Sequence, residues 1–301
     1  MFAVRVRRSI SARIEAGGAA ALACGALLVA AEPALGDQAK SVSAGGGHTC
    51  AVKTSAEVVC WGFDRYGQAA APPGTFKLVS AGLGHTCAVR TSRKVACWGH
   101  DDDGEASPPG GKFRSVSAGF LHTCGVKSNG KVACWGFARL GRASPPGGKF
   151  RSVSAGDLHT CGVKASREIA CWGYDGAGRA SPPAGKFRSV SAGQKHNCGV
   201  KVGGKVACWG SDRQDRASPP GGKFRSVSAG YAHNCGVKSN GKAACWGFER
   251  RGRASPPRGE FRSVSAAGSH TCGVRTSGKV ACWGGSNVSG ELDVPPELLE
   301  P

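Results

Sequence analysis

Gly119-Phe120-Leu121-His122-Thr123-Cys124-Gly125-Val126-Lys127-Ser128-Asn129-Gly130-Lys131-Val132-Ala133-Cys134-Trp135-Gly136 reads as a β-hairpin. Cys124 and Val126 alternate with Gly125 and Lys127, and beyond the turn Val132 and Cys134 alternate with Lys131, Ala133 and Trp135. Period 2 is the period of a strand. Ser128-Asn129-Gly130 suits a three-residue loop with glycine at the left-handed position. Folding about it sets Lys127 opposite Lys131, Val126 opposite Val132 and Cys124 opposite Cys134. Opposed residues in an antiparallel pair lie about 4.5–5.5 Å apart at Cα, and a disulfide wants about 4.4–6.8 Å. The two cysteines are placed to bond.

The unit occurs seven times. His48, His85, His122, His159, His196, His233 and His270 are spaced 37 residues apart, each followed by Cys two residues on and by Cys-Trp-Gly ten residues after that. The pairs are Cys50 and Cys60, Cys87 and Cys97, Cys124 and Cys134, Cys161 and Cys171, Cys198 and Cys208, Cys235 and Cys245, Cys272 and Cys282. A fixed period of roughly 20–50 residues marks a solenoid, propeller or array. Structural zinc sites usually space their ligands two to four residues apart, whereas these pairs are ten apart across a hairpin. Disulfides are therefore favoured over free buried thiols, and both over metal.

Each unit opens with a strand of small residues such as Phe113-Arg114-Ser115-Val116-Ser117-Ala118-Gly119, which fits the tapering centre of a radial array. Each ends in a segment such as Ala143-Ser144-Pro145-Pro146, which no central strand tolerates. It is a short edge strand or a crossover to the next unit. The expected fold is all-β, a seven-bladed β-propeller of seven 37-residue repeats over residues 37–301. Ala39 stands where the other units have Phe, and the stretch after Trp283 is irregular. Whether a terminal strand is exchanged to close the ring is left open.

Val-Ser-Ala-Gly-x-x-His-x-Cys and Cys-Trp-Gly, recurring over about residues 38–296, resemble the regulator-of-chromosome-condensation repeat superfamily. The short repeat is similar to the bacterial branch that includes β-lactamase inhibitor protein II. The resemblance implies a seven-bladed propeller. It does not carry over nucleotide exchange, since this chain looks exported and its blades are much shorter, nor β-lactamase inhibition, because those contacts sit in freely varying loops.

Residues 1–36 look like an export signal. Arg5, Arg7, Arg8 and Arg13 precede an apolar run from Ala19 to Ala31, too short to span a bilayer. Ala34-Leu35-Gly36 suits cleavage before Asp37. Cleavage would leave 36 basic and 18 acidic residues and remove Cys24, the one unpaired cysteine. An even set of 14 suits an oxidising compartment. The chain is expected to be secreted, periplasmic or at the cell surface, monomeric, and without a membrane span after cleavage.

Rotational symmetry spreads the seven His around a ring and forbids a compact metal site, so they are expected to tie inner turns to neighbouring backbone. The seven Trp, on the face opposite the Cys, are expected between blades. Asp101-Asp102-Asp103-Gly104-Glu105 lacks calcium-loop spacing and reads as a solvated acidic loop. No phosphate loop or nucleophile elbow is present. No enzyme activity and no cofactor are expected.

Tracing the strands up, down and up puts the two most variable segments on one face, here called the upper face: the pair before each His and the stretch after each Trp-Gly. The expected partner-binding residues are Phe63, Arg65, Tyr66, Phe120, Phe137, Arg139, Tyr174, Tyr231, Phe248 and Arg250, since aromatic side chains and Arg dominate binding hot spots. Arg65, Arg139, Arg213 and Arg250 are expected to stack on those rings or to pair with carboxylates. An unknown protein partner is expected there. The lower face carries Lys127, Lys131, Lys149 and their equivalents, a basic rim suited to an anionic polymer such as nucleic acid or an anionic glycan.

Overall fold

The computed structural model describes residues 37–299. The expected signal, its cleavage before Asp37, and Cys24 lie outside the described residues. Seven three-stranded antiparallel sheets follow one another, each built from a single repeat in the order inner, middle, outer. Blade 3 is typical, with strands Phe113–Ala118, His122–Lys127 and Val132–Gly136. Its register sets Cys124 against Cys134 and Val126 against Val132, as the alternation requires. Gly130 takes φ 88° in the turn, where Lys127 N–H donates to Lys131 O at 2.8 Å. All seven cysteine pairs are disulfide-bonded. The Pro-Pro segments form no strand and serve as crossovers.

Blades meet through one repeated seam. Phe113 and Trp135 stack edge to face at 6.0 Å between ring centroids. They bury against Val116 and against Cys87 and Val89 of the preceding blade. The disulfide side of one blade thus packs on the aromatic side of the next, as expected for the Trp. Truncating such a Phe would cost about 3–5 kcal/mol.

Polar bonds also cross the seams, and here the expectation for the His is corrected. They bond to side chains of the next blade instead of backbone. His48 Nε2 meets Thr86 Oγ1 at 2.7 Å, His159 meets Asn197 Oδ1 at 2.7 Å, and His270 closes the ring on Thr49 at 2.8 Å. Thr86 donates its hydroxyl to Gln68 O, and Asn197 donates Nδ2 to Arg179 O. Their oxygens therefore accept from His, which fixes neutral rings protonated at Nε2. Burial lowers the pKa of all seven, to about 3 for His48, His122 and His233 and about 4 for His85, His159, His196 and His270.

Among the described residues no strand is exchanged at the closure. Trp61 of blade 1 donates to Glu291 O, and Ala39 N–H donates to Gly278 O at 2.7 Å. The volume missing at Ala39 is filled from the other end of the chain, because Leu298 and Val294 bury in the same cluster as Ala39, Trp61 and Cys272.

Candidate binding face and its aromatic groove

The two variable segments do share the upper face. Phe63 N–H donates to Gly47 O, Phe137 to Leu121 O and Tyr174 to Leu158 O, each at 2.8–2.9 Å. Such bonds tie the loop after Trp-Gly to the turn before the matching His in the first six blades.

Sequence reasoning missed the residue that decides which aromatic rings rest on a guanidinium from their own loop. It stands seven places after the Trp in the first six blades, as Gln68, Glu105, Arg142, Arg179, Arg216 and Arg253. Where it is Arg beneath an aromatic, the guanidinium lies over the ring: Arg142 over Phe137 at 4.9 Å, Arg179 over Tyr174 at 5.0 Å, Arg253 over Phe248 at 5.2 Å. The expectation that Arg139, Arg213 and Arg250 stack on these rings is thereby corrected. The stacking arginines sit three residues later, because a short helical turn carries their Nε–H back to a carbonyl, as from Arg142 to Arg139 O at 3.1 Å. Arg142 also donates to Asp157 O of the next blade. Arg65 does lie over Tyr66, at 6.0 Å. The signal was present in the sequence as the Arg of Gly-Arg-Ala-Ser-Pro-Pro, but a repeated Arg on a loop looks solvated until its burial is seen.

Blades 1 and 2 break the pattern. In blade 1 Gln68 is buried and turns its Oε1 to Tyr66 N–H at 2.9 Å. Among the described residues no guanidinium covers Phe63, and Phe63 and Tyr66 stay 37% and 47% exposed. In blade 2 the pair is His100 and Glu105. His100 Nδ1 lies 2.5 Å from Glu105 Oε1, and this bond raises the His100 pKa. Glu105 is fully buried and its Oε2 accepts from Asp103 N–H, so the acidic loop is anchored and not wholly solvated. Asp102 reaches His100 Nε2 at 3.2 Å while remaining highly exposed.

The consequence is a groove of about 370 Å³ over blades 1 to 3. Phe63, Tyr66, His100 and Phe120 supply its aromatic walls, with Leu83 and Leu121 between them. Tyr66 packs edge-on to His100 at 5.0 Å and to Phe63 at 6.2 Å. Of the expected binding residues, the groove gathers Phe63, Tyr66 and Phe120. Phe137, Tyr174 and Phe248 stand apart on their own arginines. Phe120 and Tyr231, both half-buried, also face a second cavity of about 160 Å³ on the propeller axis, with Leu83, Asp157 and Gln194. Burial raises the pKa of Asp157 and of Tyr231 there. Among the described residues no cluster of three His, Cys, Asp or Glu is placed to hold a metal ion.

A family model, the Regulator of chromosome condensation (RCC1) repeat, matches residues 39–68, 76–105, 113–141, 150–179, 187–214, 224–253 and 261–291. The chain belongs to that family, and the fold is a seven-bladed β-propeller. The narrower likeness to the β-lactamase inhibitor branch has no support from these matches. No curated protein matches the chain.

Among solved structures, the CRINKLY WD40 ectodomain of the Arabidopsis thaliana receptor kinase ACR4 superposes with a TM-score of 0.70 at 28% identity. The match covers 83% of this chain and 96% of that one. The ectodomain of the Physcomitrella patens receptor kinase CR4 gives 0.71 at 27%, over 82% and 74%. Prp20p of Saccharomyces cerevisiae, described with its binding to Gsp1p and histones, gives 0.67 at 16%, over 76% and 80%, which shows the fold alone.

Proposed function

We propose that this chain is a non-enzymatic protein-binding propeller of an oxidising, extracytosolic compartment, and that it binds its partner through the aromatic groove over blades 1 to 3. One observation carries the reading. Four blades place a buried or half-buried Arg at the covering position, and three of these lie over an aromatic ring, whereas blade 1 places Gln68 there and leaves Phe63 without a guanidinium beside a 370 Å³ groove. Exposed rings clustered around a concavity are the usual mark of a binding surface.

The rim specifies the occupant. Asp102 and Asp103 are exposed beside the apolar walls. The groove suits a protein segment with an apolar or aromatic side chain next to a Lys or Arg. The disulfide-locked blades present it without ordering a loop, which lowers the entropic cost of binding. Seven disulfides accord with an oxidising compartment. Among the described residues no helix is long and apolar enough to cross a membrane. Related propellers in solved structures bind proteins, as in yeast RCC1 bound to Kap60.

A displayed random-peptide library selected on the oxidised protein tests the reading. Enriched peptides should pair an aromatic or large apolar residue with a basic one. The Phe63→Ala/Tyr66→Ala variant should weaken them by about 30-fold, the hot-spot scale of roughly 2 kcal/mol. Selected peptides that bind that variant as well as the wild type would remove the groove from consideration.

A further inference from the structure

The face opposite the groove has a construction of its own. In every blade the register between inner and middle strands slips at one residue of the inner strand. The residue passed over is Lys40, Lys77, Arg114, Arg151, Arg188, Arg225 or Arg262. A β-bulge leaves one residue unpaired and re-aims its side chain, and all seven of these side chains are exposed. The inner strands surround the axis and start at the face of the hairpin turns, as Ser128 N–H bonding to Lys112 O shows. The bulges therefore set seven cations in a ring around the axis on that face.

Other cations there have structural duties. Lys127, Lys201 and Lys238 lie over Phe113, Phe187 and Phe224 at 5.8–5.9 Å, and Lys53 pairs with Asp37 and Glu57. Four of the five bulge arginines bond a backbone carbonyl through a single nitrogen. Arg114 Nη2 donates to Phe150 O at 3.0 Å and Arg225 Nη2 to Ser239 O at 2.6 Å, leaving further donors of each guanidinium outward. Lys112, Lys131, Lys149, Lys205 and Lys223 widen the field, and among the described residues none of these five makes an ion pair with a carboxylate. Only Asp37, Glu57, Glu168, Glu260 and Glu297 among the described acidic residues reach this face. The remainder lie in the upper loops, so the positive charge of the chain is concentrated on one side.

We infer that this bulge ring is a seat for a flexible linear polyanion with closely spaced phosphate or sulfate groups, recognised by charge alone. Charge complementarity fixes the class, and Arg pairs bidentately with such groups. Sequence reading of a nucleic acid is disfavoured. Single-strand binders stack bases on aromatic side chains, but the exposed aromatics Phe63, Tyr66 and Tyr174 are all on the opposite face. Reading duplex bases needs a helix or ribbon in the major groove, and a ring of bulges offers neither.

Titration of the full oxidised chain with long-chain inorganic polyphosphate, heparin, and DNA of equal charge, over a range of salt, tests the inference. Wild type should bind polyphosphate or heparin with a steep negative slope of log affinity on log salt, and the tighter of the two names the source. Arg114→Gln/Arg151→Gln/Arg188→Gln/Arg225→Gln should lower affinity at least ~10-fold and flatten the slope by about 3, taking about 0.7 per cation removed. Near-UV circular dichroism checks that this variant is folded. Arg139→Gln/Arg213→Gln/Arg250→Gln/Arg251→Gln makes the same change in net charge on the other face, and should stay within about twofold of wild type. No binding to either polymer, equal loss in both quadruple variants, or tighter binding to DNA would each overturn the inference. None of these outcomes involves Phe63 or Tyr66, so they leave the groove reading untouched.

Discussion

The ring of seven buried histidines makes the propeller sensitive to acid in a calculable way. Each His is neutral in the folded chain, with a pKa lowered by burial from 6.5 to about 3 or about 4. Nε2–H is committed to the next blade, and Nδ1 is buried without a partner that could accept a proton from it. A depressed folded pKa gives stability that is complete above the unfolded value of 6.5 and is lost as pH falls toward the folded value. At pH 5 the unfolded chain protonates almost every His while the folded chain protonates almost none. The difference is roughly 2 kcal/mol per His, or about 14 kcal/mol for seven. That matches or exceeds the roughly 5–15 kcal/mol that stabilises a typical domain.

His100 acts in the opposite sense, since Glu105 raises its pKa and its contribution is lost as pH rises. It is one group against seven. The expected outcome is a cooperative loss of tertiary structure between about pH 6 and 4, with the hairpins kept closed by their disulfides. Near-UV circular dichroism against pH gives the midpoint. Comparing denaturant stability at pH 7, 6 and 5 gives the slope, and a proton uptake near seven corresponds to roughly 9 kcal/mol per pH unit. A chain that keeps its tertiary signal to pH 4, or takes up no more than one proton on unfolding, would refute the ring as described.

Leu298→Ala should destabilise the closure between blades 7 and 1 by about 2–4 kcal/mol, read as a lower denaturant midpoint, because Leu298 is fully buried where Ala39 leaves space. Arg167→Gly should stabilise by up to about 1 kcal/mol, since Arg167 holds φ 70° at the turn position where blade 3 has Gly130. Alkylation before and after reduction should show no reactive thiol among the 14 repeat cysteines of the oxidised protein and 14 after unfolding with reductant, by intact mass.

The strands and disulfides were legible because their signals are local and repeated: period-2 alternation, a glycine in the turn, and cysteines opposed by the register. The shared face of the variable loops was legible too, since strand direction alone fixes it. The packing of the Trp between blades was legible as well, but the specific partners across the seams escaped. That His122 bonds Thr160, that Leu298 fills the space beside Ala39, and that Arg142 covers Phe137 depend on distances between blades, which a repeat period does not encode. The bulges escaped for a related reason. Arg114 sits in an apparently regular alternation, and only the observed register shows it passed over.

The two faces follow from one constraint. Each blade must present the same disulfide side and the same Phe-Trp side to its neighbours, so the strands have no freedom to specialise. Variation is confined to the loops, and there the covering position acts as a selector. Arg142, Arg179 and Arg253 join an aromatic ring to the loop carbonyls beneath it, and blade 5 keeps Arg216 with no ring above it. Replacing Arg by Gln68 in blade 1 leaves the loop bonded, because the side-chain amide still reaches the backbone of Tyr66, but it uncovers Phe63. Glu105 in blade 2 likewise keeps its loop closed through Asp103 N–H while turning the charge negative. Two adjacent substitutions at one repeated position therefore create an apolar groove with an acidic rim without touching a strand or a seam. The lower face works by the opposite rule, since its bulge residue is cationic in all seven blades. A surface built from one repeated position suits a ligand that repeats, and a surface built from exceptions suits a partner with one shape.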